Sequence, residues 1–208
     1  SVRRVGVPSY RMPEVPKRSA GYFAAPDMDL IDLFVGSEGT LGVITELTLR
    51  ILPSAPAVCV ALVPLSSDAR GFELVAALRA ESQATWRSHD PRGLDVSAIE
   101  YLDQRCLELV REDGSDGRNG VALSAGATLA ILVQLELPDD MTQERAFEEV
   151  ASARDPAAPD TPLVRFCRLL DRAGAFGDVE IALPGDGRRA EQLFALREAV
   201  PAAVNLKV

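Results

Sequence analysis

Three glycines, each separated from the next by two residues, stand directly before an alternating apolar run. The stretch is LFVGSEGTLGVITELTLRILP, residues 33–53, with glycines at Gly36, Gly39 and Gly42 and a single carboxylate, Glu38, between them. Glycine permits positive φ and lets a ligand lie close to the main chain, and successive exposed N–H groups can hold anionic or carbonyl oxygens. The pattern therefore predicts either a ligand-binding loop or a tight turn between two core segments.

The glycine spacing excludes two common phosphate-binding motifs. No Gly-Lys-Ser/Thr follows the loop, as a Walker A motif requires, and the spacing GxxGxxG differs from the dinucleotide fingerprint GxGxxG. A strand also follows in place of a helix, because residues 44–52 alternate with Leu47, Leu49 and Ile51 on one face. This period of two predicts a half-buried strand.

The composition is that of a folded, acidic protein. The chain has 208 residues, 47% of them hydrophobic, and a net charge of −9. An acidic surface argues against broad electrostatic binding to nucleic acid or to anionic membranes. The sequence contains no apolar run of transmembrane length. We expect a cytoplasmic protein and leave peripheral attachment to a membrane open.

Cysteine and histidine usage restricts the chemistry further. The cysteines Cys59, Cys106 and Cys167 are far apart in apolar contexts, which predicts buried free thiols in a reducing compartment. The only histidine is His89, too little for an ordinary zinc site of about four N, S or O ligands. We expect no metal site, and we interpret His89 as a surface-loop residue because nothing beside it resembles an oriented nucleophile–base pair.

Beyond the glycine stretch, strand and helix patterns alternate. Apolar runs predict strands over 57–65, 128–137 and 178–183, and residues 96–103 are expected to form a strand or a strand-to-helix corner. Amphipathic patterns predict helices over about 67–80, 104–112, 142–154, 163–172 and 188–200, with a loop at 113–120. The expected inward side chains are Phe72, Val75, Ala76 and Leu78 in the first of these helices and Phe147 and Val150 in the third. Such alternation predicts an α/β or α+β arrangement of one sheet covered by helices.

The sequence around the glycines is more specific than its pattern. GSEGTLGVITELTLRILP resembles the signature near the end of the flavin-binding domain in the FAD-linked oxidase family of vanillyl-alcohol-oxidase-type flavoproteins. That family includes D-lactate dehydrogenases, glycolate oxidase D-subunits and D-2-hydroxyglutarate dehydrogenases. KRSAGY, residues 17–22, resembles the K-x-x-x-GY that precedes this signature. SAIEYLDQRCLEL and LFALREAVPAAVN are similar, more loosely, to pieces of the family's cap domain.

The resemblance implies an α+β fold in two parts. Residues 1–53 would be the end of an FAD-binding α+β domain, and residues 54–208 a ferredoxin-like α/β cap domain with an antiparallel sheet covered by helices, incomplete at its C-terminus. FAD is the implied cofactor. The residues implied to lie along it are Ser37, Glu38, Gly39, Thr40, Leu41, Gly42, Val43 and Ile44.

A substrate anchor is also implied by resemblance. Arg197 occupies the place of a substrate-facing arginine, and arginine binds carboxylates bidentately. The alternative is a solvated helix arginine paired with Glu198 or Asp186. Lys17 and Tyr22, in the K-x-x-x-GY piece, are weaker candidates for the site.

The implied activity is oxidation of a D-2-hydroxy acid such as D-lactate or glycolate to the 2-oxo acid, with electrons passing to a quinone, a cytochrome or a flavoprotein. One alternative is an alkylglycerone-phosphate synthase-like flavoenzyme, whose substrate phosphate would use Arg165, Arg168, Arg188 and Arg189. A non-catalytic α/β binding module is the other. The family's glycine-rich pyrophosphate loop and histidine-rich metal motif have no counterpart here. We therefore expect an interior fragment that is inactive alone, and leave its catalytic acid/base unassigned and homodimer formation open.

Overall fold

The computed structural model describes residues 6, 10–15, 21–51 and 56–205. The chain divides into two compact units, Ser1–Leu52 and Pro53–Val208. Within the described residues, no helix combines the length and the apolar character that crossing a bilayer requires.

The described part of the first unit contains one short helix, α1, Leu30–Phe34. Its start is fixed by a reciprocal cap, in which the Ile31 N–H donates to Asp29 Oδ1 at 3.1 Å and the Asp29 N–H donates to Asp32 Oδ2 at 3.0 Å. Such a capping box satisfies N–H groups that a helix leaves without partners at its start.

The strand predicted over 44–52 is wrong for the residues that the structure describes. Residues 44–51 form no strand, and Leu47, Leu49 and Ile51 are 64%, 69% and 86% exposed. A strand needs a neighbour to pair its N–H and C=O groups and to cover its apolar face. The described part of the first unit contains no other strand that could be this neighbour.

The second unit alternates strands and helices as the sequence predicts. Its strands are β1 (Ala57–Leu65), β2 (Asp95–Leu102), β3 (Leu129–Leu137) and β4 (Glu180–Ala182). Its helices are α2 (Asp68–Ser88), α3 (Gln104–Asp113), α4 (Ser115–Arg118), α5 (Gln143–Ser152), α6 (Pro162–Arg172) and α7 (Gly187–Asn205). The predicted loop at 113–120 therefore contains the single turn α4, and α2 and α7 are longer than expected.

The four strands form one sheet in the order β2-β3-β1-β4, and each neighbouring pair is antiparallel. The prediction of a mixed α+β fold with an antiparallel sheet is confirmed at this level. The central strands β1 and β3 pair along their whole length, from Ala57 opposite Leu137 to Leu65 opposite Leu129. β1 is a continuous apolar run, and β3 is apolar apart from Gln134 and Glu136 near its end, as expected for strands that are covered on both faces.

Each face of the sheet carries its own core. On one face, β1 residues Cys59, Ala61 and Val63 pack with side chains of α2, α5 and α6. On the other face, Val60 and Leu62 pack with side chains of α3 and α7. Successive side chains of a strand point to opposite faces, so one strand supplies both cores.

Three predicted core positions are wrong, because Phe72 and Ala76 of α2 and Phe147 of α5 are exposed. Phe72 is 62% exposed and stacks on Tyr101 with ring centroids 5.6 Å apart. Helix α2 instead approaches the sheet at Gly71, where an added Cβ would lie 3.0 Å from a methyl carbon of Leu129. A hydrophobic pattern cannot mark a glycine as the contact point. Phe147 is 66% exposed because α5 turns Ala146 and the neighbouring face inward.

We expect Phe166→Ala in α6 to lower the free energy of unfolding by about 3–5 kcal/mol, because the fully buried ring leaves a cavity. The matched variant Phe147→Ala removes an exposed ring and is expected to change it by less than about 0.5 kcal/mol. Urea denaturation followed by circular dichroism measures both. An equal loss for the two variants would contradict the assigned faces of α5 and α6.

Candidate functional site

The glycine loop, residues 36–44, has an unusual backbone. Gly36 and Gly39 both have φ of 77°, and Glu38 between them has φ of 49°. Non-glycine residues seldom adopt this left-handed conformation, which costs about 1–2 kcal/mol. Gly42 does not adopt positive φ, so the backbone conformation at this position does not require glycine.

Short-range hydrogen bonds hold this loop in place. The Ser37 N–H donates to the Phe34 carbonyl at 3.1 Å, and the Thr40 N–H donates to the Ser37 carbonyl at 3.0 Å. The Thr40 hydroxyl also donates to the Ser37 carbonyl, at 2.6 Å, and lies 2.7 Å from the Tyr22 hydroxyl. Two pieces that the sequence singles out, GY and SEGT, therefore meet at Thr40. Lys17 lies outside the described residues.

The rest of the loop is open. A Cβ added at Gly36, Gly39 or Gly42 would meet no atom within 4 Å. Of residues 37–44, only Ser37 is buried. The Glu38 carboxylate makes no hydrogen bond or ion pair with any residue in the described part of the chain, so it does not brace the loop there.

In the second unit, Arg197 lies on α7 at a cleft of about 390 Å³. Residues of β2, α3 and α7 line the cleft: Glu100, Tyr101, Leu102, Cys106, Arg197, Glu198, Val200 and Pro201. The carboxylate that approaches Arg197 is Glu100, with 3.4 Å between Nη2 and Oε1. Neither partner expected from the sequence, Glu198 or Asp186, makes this contact; Asp186 accepts the Arg189 N–H at 3.0 Å instead.

Glu100 and Tyr101 also line this cleft, and neither was predicted from the sequence as a site residue. Strand alternation carried part of the signal, because Leu102 packs into the core that α3 and α7 share, and Glu100 two residues earlier faces the same side. The Tyr101 hydroxyl donates to Asp68 Oδ1 at 2.7 Å. That hydrogen bond, with burial and the Asp68 charge, raises the pKa of Tyr101 to about 12, so the phenol stays protonated near neutral pH.

The three cysteines are free. Cys59 and Cys167 are buried, as predicted, whereas Cys106 is half-buried at the cleft. Burial, and secondarily the charge of Cys167, raises the pKa of the Cys59 thiol to about 12, and burial followed by the charge of Glu149 raises that of Cys167 to about 12. Burial and the neighbouring Asp103 also raise the pKa of Cys106.

Four arginines proposed for a phosphate-bearing substrate do not converge. Arg165 and Arg168 lie on α6 and Arg188 and Arg189 on α7, and these helices pack on opposite faces of the sheet. Three of them make structural contacts. Arg165 pairs with a carboxylate, Arg168 donates to backbone carbonyls, and Arg189 does both.

His89 ends helix α2. It has φ of 56° and its N–H donates to the Thr85 carbonyl at 2.7 Å. This exposed capping position agrees with the interpretation of His89 as a surface residue. Within the described ranges, no group of three or more His, Cys, Asp or Glu side chains is arranged to hold a metal ion.

Comparison with known proteins finds relatives that are named as hydroxy-acid dehydrogenases or oxidases. The chain is 46% identical over 50 residues to D-lactate dehydrogenase of Anaerostipes hadrus, which covers 24% of this chain and 9% of that protein. It is 40% identical over 90 residues to mitochondrial D-lactate dehydrogenase [cytochrome] of Arabidopsis thaliana, covering 42% and 12%. It is 30% identical over 128 residues to glycolate oxidase subunit GlcD of Escherichia coli, covering 54% and 26%.

The chain thus spans from about a tenth to about a quarter of the length of these relatives. D-2-hydroxyglutarate dehydrogenase of Xanthomonas citri is also similar, at 34% identity over 99 residues, covering 48% of this chain and 17% of that protein. No family model matches the chain. The similarity therefore extends to several hydroxy-acid dehydrogenases and oxidases.

Thiol labelling tests the described surroundings of the cysteines. We expect iodoacetamide to modify Cys106 in the native chain, more slowly than a free cysteine at pH 8, because a raised pKa lowers the thiolate fraction. The rate of Cys106 modification should increase as the pH rises above 8, because the thiolate fraction grows. Cys59 and Cys167 should react only in denaturant. Peptide mass spectrometry measures each site, with Cys106→Ser as the control; fast native labelling of Cys59 would contradict the structure.

Proposed function

We propose that this chain is part of an FAD-dependent oxidoreductase that converts a D-2-hydroxy acid, such as D-lactate or glycolate, to the corresponding 2-oxo acid. The observation that carries the proposal is its similarity to D-lactate dehydrogenases, a glycolate oxidase subunit and D-2-hydroxyglutarate dehydrogenases. These names share one substrate class, a carboxylate with a hydroxyl on the adjacent carbon.

The glycine loop fits FAD as the cofactor. Its main chain is uncovered at three glycines, so a flat ligand can approach the backbone there. Glu38 and Gly39 both have positive φ, and backbone in such turn conformations can present N–H groups to anionic or carbonyl oxygens. The Glu38 carboxylate, which has no partner among the described residues, can accept a hydrogen bond from a cofactor hydroxyl. Residues 37–44 would hold the cofactor in this way.

FAD, when bound, would accept the hydride from C2 of the hydroxy acid. The contribution of the second unit would be to position the substrate. Arg197 carries a guanidinium at an open cleft, and its planar N–H pairs match a carboxylate. A carboxylate fixed in this manner sets the orientation of the adjacent C2–H bond. The acid or base that takes the hydroxyl proton stays unassigned, since His89 caps α2.

The fold of the second unit supports a cap-domain assignment. The strand order β2-β3-β1-β4 with antiparallel neighbours is the order expected for a ferredoxin-like βαββαβ arrangement. We assign residues 1–53 to the end of a flavin domain and residues 54–208 to this cap. Electrons would then leave for a quinone, a cytochrome or a flavoprotein partner.

The visible absorption spectrum of protein purified from the complete gene tests the proposal. We expect flavin bands, and bleaching of those bands under anaerobic conditions when D-lactate or glycolate is added. A folded, colourless protein that takes up no added FAD would overturn the proposal, and the glycine loop would then be a structural turn. Flavin bands that no hydroxy acid bleaches would overturn the assigned substrate class alone.

Two glycine variants localise the cofactor within that experiment. Gly42 and Gly177 both lie in open space and neither has positive φ, so Ala strains neither backbone. We expect Gly42→Ala to lower flavin occupancy, because its methyl group projects into the space a ligand would use. Gly177→Ala should leave occupancy unchanged.

A second prediction concerns the substrate anchor. We expect Arg197→Ala to raise the Kd for the 2-oxo acid product about 10- to 100-fold, since hydrogen bonds to charged groups contribute about 1.5–3 kcal/mol. Arg188→Ala removes an exposed arginine from the same helix and is the control. Isothermal titration calorimetry on the flavin-loaded full-length protein measures both. Equal affinities for the two variants would show that Arg197 is an ordinary surface residue.

A further inference from the structure

The ion pair between Arg197 and Glu100 is loosely made. It is a single approach of 3.4 Å, and the two side chains are 52% and 42% exposed. Arg197 makes no hydrogen bond to any other residue in the described part of the chain. By contrast, Arg165 makes two hydrogen bonds of 2.7 Å to the carboxylate of Asp160. Exposed single-contact pairs contribute little to stability, typically below about 1 kcal/mol.

Glu100 presents to Arg197 the same chemical group that a hydroxy acid would present. A carboxylate entering the 390 Å³ cleft would compete with Glu100 for the guanidinium. The competition favours the ligand if the ligand binds bidentately, because two parallel N–H···O bonds replace one long contact. The exposure of both partners allows Glu100 to move aside into solvent.

The charges around the cleft restrict which acids fit. Among the residues that line it, Arg197 is the one cation, whereas Glu100 and Glu198 are both acidic and Leu102, Val200 and Pro201 are apolar. In a ligand with one carboxylate and a short apolar tail, the carboxylate can pair with Arg197 and the tail can contact the apolar side chains. A second carboxylate would find no further cation there and would be repelled by two glutamates.

We propose that Glu100 is a specificity-determining residue: it holds Arg197 in the ligand-free protein, yields it to a monocarboxylic 2-hydroxy acid, and disfavours a dicarboxylic one. This inference rests on the proposed function, and specifically on Arg197 as the anchor. The charges that line the described cleft would favour acids like lactate and glycolate over acids like 2-hydroxyglutarate.

Product binding to the oxidised, flavin-loaded full-length protein tests the inference. Pyruvate and 2-oxoglutarate serve as the monocarboxylate and dicarboxylate probes, since neither can reduce an oxidised flavin. Calorimetric Kd values are compared for the unsubstituted protein, Glu100→Gln and Glu198→Gln. The two variants remove the same charge from the same cleft, but only Glu100 contacts Arg197.

We expect the unsubstituted protein to bind pyruvate more tightly than 2-oxoglutarate. Glu100→Gln should tighten pyruvate binding about two- to fivefold, the range of an exposed ion pair, and should tighten 2-oxoglutarate binding by a larger factor. Glu198→Gln should change pyruvate binding less than Glu100→Gln does, because no contact to Arg197 is released.

Three results would overturn the inference. Equal effects of the two Gln variants would show only general charge repulsion, and weaker pyruvate binding in Glu100→Gln would show that Glu100 is needed to orient Arg197. Tighter binding of 2-oxoglutarate by the unsubstituted protein would contradict the assigned selectivity. If Arg197→Ala binds both acids normally, the anchor itself fails, and that result is distinguishable because it does not depend on Glu100.

Discussion

The pairing of β1 with β3 is the interaction on which the second unit depends. Their nine-residue register, Ala57–Leu65 against Leu129–Leu137, places two apolar strands at the centre of the sheet. Because alternate side chains face opposite sides, the pair supplies apolar side chains to both cores at once. Cys59 and Ala61 illustrate one side and Val60 and Leu62 the other. Without this pair neither helical layer would have an apolar surface to cover.

The same pairing determines where Arg197 lies. Leu193 and Leu196 of α7 are fully buried in the core built on Val60 and Leu62, so the helix is rotated with those positions inward. The residue after Leu196 is turned by about 100° along a 3.6-residue helix, which places Arg197 at the border of the buried face. Glu100 lies on the edge strand β2. Its contact with Arg197 thus joins a helix to the edge of the sheet.

Most strands and helices of the second unit could be predicted from sequence, because the hydrophobic pattern of each lies within its own residues. The runs at 57–65 and 128–137 became β1 and β3 with bounds shifted by at most one residue, and the stripe at 163–172 became α6. What could not be predicted depends on partners remote in the chain. The strand at 44–52 needs a neighbour that the described residues lack, and the partner of Arg197 lies 97 residues earlier. The glycine loop could be located from sequence, but the lack of a partner for the Glu38 carboxylate among the described residues could not.

Two arginines of α7 show that weak pairing of a side chain indicates a candidate binding site better than its charge alone does. Arg189 donates to Glu180 at 2.6 Å and to the Gly120 carbonyl at 3.1 Å, and its side chain is only 18% exposed. Moving it would break several bonds and leave those acceptors unpaired. Among the described residues, Arg197 makes one long contact, to Glu100, and its side chain is about half exposed. Binding a ligand has the smallest free-energy cost where few protein contacts are broken, so under the proposed function the weak pairing of Arg197 would leave its guanidinium available to an incoming carboxylate.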